Sequence, residues 1–216
     1  MGSIVEQLNE AVYIVDDDCR VREALSALLH SYGKKVVPFA SGQEFLQHQR
    51  TDDCACVLLD LSMPSMSGLE VQQQVAARAA LPIIFITGRG DVPSTVQAMK
   101  SGACDFLTKP LDEVSLLAAI DAALAKDRAA RAAQHEQAQL RSLYTSLTPR
   151  EQQVLSLIVG GMLNKQAAGQ LGITEYTVQV HRGHIMKKFR AKSFAALVTL
   201  ARKLPTDLVA VPNKNT

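Results

Sequence analysis

A short apolar run that ends in three consecutive carboxylates constrains the fold more than any other stretch of this sequence. The residues from Val12 to Val15 are β-branched or aromatic, and Asp16, Asp17 and Asp18 follow directly. An apolar run of this length, bounded by polar residues, is typical of a buried strand in a parallel sheet. Ligands of such sheets bind beyond the carboxyl ends of the strands. The stretch therefore predicts a Mg²⁺ site at a sheet edge, with a solvated acidic loop as the alternative.

Four further apolar segments, separated by helical patterns, indicate a doubly wound sheet of five parallel strands. The additional strands are expected at residues 35–39, 54–60, 81–87 and 103–108. The first of these is placed toward a sheet edge, because Pro38 cannot donate a ladder hydrogen bond. Ser41 and Glu44 have the spacing of a capping box at the start of the next helix. The first half of the chain is therefore predicted to be an α/β domain.

Polar residues stand at the carboxyl ends of these strands. They are Asp16, Asp17, Asp60, Thr87 and Lys109. Because parallel strands end at the same rim of a sheet, we expect the five side chains to lie close together. Carboxylates would hold a divalent cation, one carboxylate would attack a phosphorus atom, and the hydroxyl and ammonium would receive phosphoryl oxygens. Phosphoryl transfer depends mainly on such positioning and charge neutralisation.

Charge is unevenly distributed along the 216-residue chain. Residues 1–126 carry 10 Lys and Arg against 16 Asp and Glu, residues 127–146 have a net charge of +1, and residues 147–216 carry 10 against 3. An acidic half followed by a basic half predicts two domains, the second with an anionic partner. No apolar run approaches the roughly 20 residues of a membrane span, and no secretory signal is visible. We therefore expect a cytoplasmic protein with no membrane association.

The stretch from residue 112 to residue 146 contains neither Gly nor Pro and is rich in Ala, the best helix former. Leu116, Ile120 and Leu124 lie on one helical face, and this face thins beyond Lys126. The pattern predicts a last helix of the first domain that continues as a partly exposed helical linker over residues 127–146. A flexible tether and a coiled coil with a second copy are the alternatives.

The second half carries the start and stop signals of four short helices. Thr148, Pro149 and Glu151 combine an N-cap, a first-turn proline and a capping-box partner. The second and third helices are expected at about residues 164–171 and 175–189. Gly172 separates them, and Thr174 is the predicted N-cap of the third. Two helices joined by a short Gly-containing turn make a helix-turn-helix. Its predicted span runs from Asn164 and Lys165 to Gly183.

The third of these helices has one apolar face, formed by Val178, Ile185 and Phe189, and one polar face that predicts contact with the major groove of DNA. Gln179 is a candidate base reader, and Arg182 could reach a guanine or a phosphate. A structural bundle without DNA and a solvated Gln179 are the alternatives. The residues predicted to contact DNA are Thr174, Tyr176, Thr177, Gln179, Val180, Arg182, Gly183, Lys187 and Lys188.

Residues 10–126 resemble a response-regulator receiver domain, which has a flavodoxin-like fold. The matching motifs are Val15-Asp16-Asp17, Asp60-Leu-Ser-Met-Pro-Ser-Met-Ser-Gly-Leu-Glu70, Ile86-Thr87-Gly88, Ala98-Met-Lys-Ser-Gly-Ala103 and Phe106-Leu-Thr-Lys109-Pro110. Five separated motifs in the right order make this resemblance specific. The segment from Gly88 to Pro93 is similar to the FixJ-like subgroup in particular.

The resemblance implies a role for each residue of the rim. Asp60 aligns with the phospho-accepting aspartate, and Lys109 aligns with the phosphate-binding lysine. Thr87 and Phe106 align with the switch pair. The aligned ligands of Mg²⁺ (or Mn²⁺) are Asp17 and Asp60 through their carboxylates, Ser62 through its main-chain carbonyl, and Asp16 indirectly.

Residues 147–204 resemble the LuxR-type DNA-binding domain. The match includes Leu147-Thr-Pro-Arg-Glu151, Val154-Leu155, Asn164-Lys165, Leu171-Gly-Ile173, Thr177-Val178, His181-Arg182, Ile185 and Lys188. Two departures from the family pattern suggest an altered base preference. Gln179 replaces a usual lysine, and Gly183 stands where a long polar side chain is common. Gly inside a helix is unfavourable by about 1 kcal/mol relative to Ala, so the backbone there is expected to approach DNA closely.

Together the two resemblances identify the chain as a two-component response regulator of the NarL/FixJ family and not an enzyme. They imply that a sensor histidine kinase phosphorylates Asp60, which shifts the receiver and promotes homodimerisation and binding to double-stranded promoter DNA, with RNA polymerase as a further partner. The expected organisation is a tail at 1–9, the receiver at 10–126, a linker at 127–146, the DNA-binding domain at 147–204 and a tail at 205–216. The opposite coupling, in which the receiver masks the recognition helix, remains open. A phosphorelay intermediate and a constitutive DNA binder are the functional alternatives.

Overall fold

A computed structural model of the chain describes residues 10–49, 53–78, 81–88, 92–205 and 208. The predicted tail at 1–9, most of the tail at 205–216, and residues 89–91 of the FixJ-like segment lie outside the described residues. The chain divides into two compact units, Met1–Arg131 and Ala132–Thr216. No helix in the described part of the chain is long and apolar enough to cross a membrane.

The first unit is built on a five-stranded parallel sheet with the strand order β2-β1-β3-β4-β5. The strands are β1 Glu10–Val15, β2 Lys35–Phe39, β3 Cys54–Asp60, β4 Ile83–Thr87 and β5 Asp105–Thr108. The helices between them are α1 Cys19–Ser31, α2 Gly42–Gln47, α3 Gly68–Arg78 and α4 Val92–Lys100. This topology confirms the predicted doubly wound α/β fold.

Two details of the sheet follow from proline chemistry. The strand β2 lies at the edge, as predicted, and Pro38 pairs in register with Ile14. The strand β4 begins two residues later than expected, because Pro82 lacks the N–H group that a ladder requires. At the start of α2, Ser41 accepts the N–H of Glu44, while the Glu44 carboxylate accepts the N–H of Ala40 instead of that of Ser41. The capping box is therefore present in a shifted form.

The central strands β1, β3 and β4 are buried on both faces, which explains why their sequences are almost continuously apolar. Side chains alternate between the faces, so Tyr13 and Val15 of β1 belong to one core while Val12 and Ile14 belong to the other. Because every neighbouring pair of strands is parallel, all five carboxyl ends lie at one rim of the sheet.

The helix α5 runs from Glu113 to Thr145, so the stretch predicted as a helical linker is helical. Leu116 and Ile120 of its first turns are fully buried in the core of the first unit. Near the end of that unit, the buried Asp127 carboxylate accepts the N–H of Ala55 at 2.9 Å and the Nε–H of Arg131 at 2.7 Å. These bonds tie α5 to the start of β3.

The second unit contains α6 Pro149–Val159, α7 Asn164–Leu171, α8 Glu175–Lys188 and α9 Phe194–Arg202. Thr148 and Glu151 form the predicted capping box of α6. Gly172 ends α7 with a φ of +65°, a conformation that favours glycine. Thr174 and Ser193 cap α8 and α9 through their hydroxyl groups. The predicted four-helix helix-turn-helix architecture is confirmed.

Candidate phosphoacceptor site and candidate nucleic-acid interface

The polar residues at the strand ends line one open cleft beyond the carboxyl ends of β1, β3, β4 and β5. The cleft is lined by Asp16, Asp17, Asp18, Asp60, Ser62, Thr87, Gly88 and Lys109. The parallel strands produce this convergence, because each of them delivers its last side chains to the same rim. The five residues that the sequence placed there are thus brought together.

A single ammonium group bridges two nearly buried carboxylates in this cleft. Lys109 Nζ lies 2.8 Å from Oδ2 of Asp16 and 3.0 Å from Oδ1 of Asp60. Asp16 and Asp60 are only 1% and 5% exposed. Burial raises the pKa of the Asp60 carboxyl, and the Lys109 ammonium partly offsets that shift. Burial acts to lower the pKa of Lys109, but its hydrogen bonds to the two carboxylates outweigh burial and raise it. The ammonium therefore stays charged.

Main-chain groups orient the same carboxylates. The N–H of Ser62 donates to Oδ2 of Asp60 at 2.8 Å, and the N–H of Asp18 donates to Oδ1 of Asp16 at 2.9 Å. The guanidinium of Arg22 donates to the main-chain carbonyls of Asp16 and Asp17 at 2.7 and 2.9 Å. Sequence reasoning missed this role of Arg22. The sequence did contain a signal for this role, because Arg22 lies in the first turn of the helix that follows the acidic loop.

The rim is continuous from β4 to β5. Thr87 is 1% exposed, and its carbonyl accepts the N–H of Lys109 at 2.7 Å. Phe106 is partly buried, and its ring centroid lies 6.3 Å from that of Phe85, its register partner on β4. The residues assigned to the switch pair therefore lie on adjacent strands, one inside the cleft and one against the core.

Gly68 allows α3 to begin directly against the main chain of the candidate phosphoacceptor. A Cβ atom at this position would lie 2.4 Å from the carbonyl oxygen of Asp60 and 2.9 Å from the Phe85 ring. Only glycine fits this approach without a shift of backbone. The spacing from Asp60 to Gly68 was visible in the sequence, but the contact depends on how α3 lies on β3.

In the second unit, α8 presents its two faces largely as predicted. Val178 and Ile185 are fully buried, whereas Tyr176 is 75% exposed. Gln179, Val180, Gly183 and Lys187 also lie on the exposed surface. Met186, which helical spacing predicts on the polar face beside Gln179 and Gly183, is different, and that prediction is wrong. Its long, flexible side chain packs partly against the core.

The N-terminus of α8 is held by two threonines from the set predicted to contact DNA. Thr174 Oγ1 accepts the N–H of Thr177 at 3.1 Å, and the two hydroxyl oxygens lie 2.8 Å apart. Both side chains are thus used in capping the helix, which keeps its exposed first turn rigid.

The charge of Lys188, another of these residues, is balanced inside the unit. Its Nζ lies 2.6 Å from Oε2 of Glu151 and 3.0 Å from the carbonyl oxygen of Ser146. Burial acts to raise the pKa of Glu151, but the hydrogen bonds from Lys188 and Thr148 outweigh burial and lower it. His181 and His184 also lie near this carboxylate. A metal ion there would face the Lys188 ammonium, so we regard the cluster as structural.

Arg182 is likewise held by contacts within the second unit. Its Nη1 donates to Oδ1 of Asn164 at 2.7 Å, and its guanidinium carbon lies 4.3 Å from the centroid of the Phe194 ring. The structure therefore separates the predicted DNA-contacting residues into three groups. Tyr176, Gln179, Val180, Gly183 and Lys187 are exposed, Thr174 and Thr177 cap the helix, and Arg182 and Lys188 have partners inside the unit.

Comparison with known proteins gives matches along both units. Residues 12–121 match the family described as "Response regulator receiver domain", and residues 145–201 match "Bacterial regulatory proteins, luxR family". The chain is 47% identical to Nodulation protein W of Bradyrhizobium diazoefficiens, covering 89% of this chain and 86% of that protein. It is 40% identical to Transcriptional regulatory protein FixJ of Azorhizobium caulinodans, covering 88% and 90%. The solved structure of the response regulator StyR is similar with a TM-score of 0.83 and 49% identity, covering 90% of this chain and 99% of that one.

The chain therefore belongs to the response regulators of the NarL/FixJ family, which join a receiver domain to a LuxR-type DNA-binding domain. The predicted family is confirmed. The matches are to transcriptional response regulators, which also confirms that the chain is a regulator and not an enzyme.

Proposed function

We propose that a sensor histidine kinase phosphorylates this regulator on Asp60 and that phosphorylation promotes homodimerisation and binding to double-stranded promoter DNA. The single observation that carries the proposal is the cleft in which Asp60, Thr87 and Lys109 converge. Asp60 is the only one of the three that offers a carboxylate. It is oriented on one oxygen by Ser62 and on the other by Lys109.

The chemistry of the cleft suits transfer from a phosphohistidine. An oxygen of Asp60 would form a bond to phosphorus while the bond from phosphorus to the histidine nitrogen breaks. The Lys109 ammonium and the Thr87 hydroxyl would then donate to the new phosphoryl oxygens. Such charge-assisted hydrogen bonds are about twice as strong as neutral ones.

The donor set of the cleft fits Mg²⁺, and Mn²⁺ by the same argument, because it consists of carboxylate and carbonyl oxygens. Asp17, Asp60 and the main-chain carbonyl of Ser62 would hold the ion, with Asp16 acting through water. When bound, the ion would neutralise charge on the phosphoryl oxygens. Arg22 supports this set, because its guanidinium fixes the main chain that carries Asp16 and Asp17.

Apolar surface on α4 supports phosphorylation-dependent dimerisation. Val92, Val96 and Met99 are large apolar side chains that are 76%, 44% and 45% exposed. Covering them with a second copy would remove apolar surface from water. In this proposal Thr87 moves toward the phosphoryl group, Phe106 turns inward, and the surface of α4 and β5 changes accordingly.

The exposed face of α8 supports binding in the major groove. Tyr176, Gln179, Val180, Gly183 and Lys187 form this face, and Thr174 and Thr177 hold its first turn. Residues 147–216 carry 10 Lys and Arg against 3 Asp and Glu, which favours a polyanionic partner. We place the receiver at 10–126, the linker at 127–146 and the DNA-binding domain at 147–204, in a cytoplasmic protein that also contacts RNA polymerase.

The proposal is tested by intact-mass measurement and DNA binding on the same preparation. Acetyl phosphate with Mg²⁺ should add one phosphoryl group to the wild-type chain and none to Asp60→Asn. Selection from a random pool should yield duplexes that the wild type retards in a gel. Phosphorylation without any DNA retardation at low salt would instead indicate a phosphorelay intermediate. Retardation that phosphorylation leaves unaltered would indicate a constitutive DNA binder.

A further inference from the structure

One side chain ties the middle of α8 to the first residues of two other helices. Arg182 donates to Asn164 at 2.7 Å and lies 4.3 Å from the centroid of the Phe194 ring. Asn164 is the first residue of α7, and Phe194 is the first residue of α9. All three residues belong to the second unit.

The two contacts fix the guanidinium in orientation as well as in position. The group is planar, so a bond at one edge and an aromatic ring beside it define its plane. Because a guanidinium only donates, the oxygen of the Asn164 amide must face it. The bond to Asn164 uses Nη1 and leaves the Nε and Nη2 donors. A bidentate contact with guanine would have to be made by these two groups from the position that Asn164 and Phe194 fix.

The helix α7 needs such a tie, because its own packing is weak. It is eight residues long, and its buried residues are Ala167 and Ala168, which remove little apolar surface from water. At its N-terminus, Gln166 Oε1 accepts the N–H of Leu163 at 2.9 Å, but the Leu163 side chain caps none of the helix N–H groups. The bond from Arg182 is therefore a second restraint at this end of α7, and it is the one that reaches α8.

We propose that Arg182 is a positioning residue that sets α7 and α9 on α8, and not a reader of bases or phosphates. The inference rests on the proposed DNA-binding function of the second unit. In a helix-turn-helix the first helix crosses the DNA backbone while the second enters the groove. A change in the angle between α7 and α8 thus weakens contacts to any sequence alike.

The test compares Arg182→Gln, Arg182→Lys, Asn164→Ala and Phe194→Leu in the full chain. Affinity is measured for the selected duplex and for duplexes with each single base pair replaced, at several salt concentrations. Amide hydrogen exchange of α7 and α9 is measured without DNA. The Lys187→Gln variant is the matched control, because Lys187 lies on the same helix and is exposed.

All four variants should lower affinity for every duplex by a similar factor, of about tenfold. The order of preference among duplexes and the dependence on salt should stay as in the wild type. Amides in α7 and α9 should exchange faster. The double variant Arg182→Gln/Asn164→Ala should bind no worse than either single variant. Lys187→Gln should instead reduce the salt dependence and leave exchange unchanged.

Three results would overturn the inference. A relaxed preference at one base pair in Arg182→Gln would make the residue a base reader. A salt slope that falls by about 0.9 in Arg182→Gln, with wild-type affinity in Asn164→Ala, would make it a phosphate contact. Unchanged exchange in α7 and α9 would remove the positioning role. If the wild type binds no duplex, the proposed function fails, and the exchange measurement still decides the role of Arg182.

Discussion

Lys109 Nζ lies 3.0 Å from a carboxylate oxygen of Asp60, so the proposed phosphate-binding cation already contacts the proposed nucleophile. The same ammonium holds Asp16 at 2.8 Å. A phosphoryl group on Asp60 would replace one acceptor with several stronger ones at the place where Lys109 already lies. The side chain that stabilises the unphosphorylated cleft is thus also placed to stabilise the phosphorylated one.

Replacing Lys109 with Gln should destabilise the first unit and slow phosphorylation. Asp16 and Asp60 are almost fully buried, and both would lose their ammonium partner. We expect a loss of about 1–3 kcal/mol in the free energy of unfolding, measured by calorimetry of the full chain. The control is Lys35→Gln, whose side chain is 54% exposed in its pair with Asp53. Exposed pairs contribute about 0–1 kcal/mol, and equal losses in the two variants would contradict the prediction.

In the metal-free protein, the Asp60 carboxyl should take up its proton at a pH above the ordinary aspartate pKa of about 3.9. Burial raises the pKa of Asp60, and only the ionised carboxylate can attack phosphorus. Lys109 opposes that shift, so Lys109→Gln should move the midpoint of the Asp60 titration further upward. Carbon-13 NMR of the labelled carboxyl groups at each pH, without Mg²⁺, provides the measurement. A midpoint that moves downward in this variant would reverse the assigned cause.

Glu151→Gln should destabilise the second unit at neutral pH and remove part of its acid sensitivity. The pKa of Glu151 is lowered in the fold despite burial, because Lys188 and Thr148 bond the carboxylate. Its stabilisation is therefore present above the unfolded pKa of about 4.3 and is lost as the pH falls through the folded pKa. We expect a difference of about 1–3 kcal/mol at pH 7 that shrinks on acidification.

Calorimetry between pH 7 and the acid limit would measure this difference. His184 also faces the carboxylate, with Nδ1 at 3.8 Å from Oε1. The control is Glu136→Gln, because Glu136 and its partner Lys203 are both about half exposed. A pH-independent loss in Glu151→Gln would show that the capping shape of this side chain matters more than its charge.

Gly183→Ala and Gly169→Ala form a matched pair for the approach of α8 to DNA. Both glycines lie inside helices, and an added Cβ atom would meet nothing within 4 Å in either place. Each variant should gain up to about 1 kcal/mol of stability from helix propensity. Only Gly183→Ala should lose affinity for the selected duplex, because its methyl group would point into the proposed interface. Equal affinity in both variants would place Gly183 away from the DNA.

The sequence predicted the features that depend on local chemistry and on strand order. Asp60 and Thr87 end apolar runs, and parallel strands must bring such ends together. Gly172 and Thr174 mark the turn between two helices, since one adopts positive φ and the other caps α8. These residues could be placed without knowing how any helix packs.

The sequence could not predict which groups the charged ends of long side chains contact. Helical periodicity placed the Cα atoms of Arg182 and Lys188 on the polar side of α8, but their charged groups fold back onto Asn164 and Glu151. Gly68 depends in the same way on the position of α3 against β3. Such contacts depend on packing between different elements. Arg182 is 18 residues from Asn164 in the sequence, and Lys188 is 37 residues from Glu151. Helical periodicity carries no information about contacts over such separations.

The most direct test of the central claim is the affinity of the full chain for its selected duplex with and without beryllofluoride and Mg²⁺. Beryllofluoride mimics the phosphoryl group on a carboxylate, so the wild type should form dimers and bind more tightly by about tenfold, within the usual range of coupling between sites. Asp60→Asn should show no change in either property. A wild-type affinity that does not respond, or an Asp60→Asn variant that responds equally, would contradict the account.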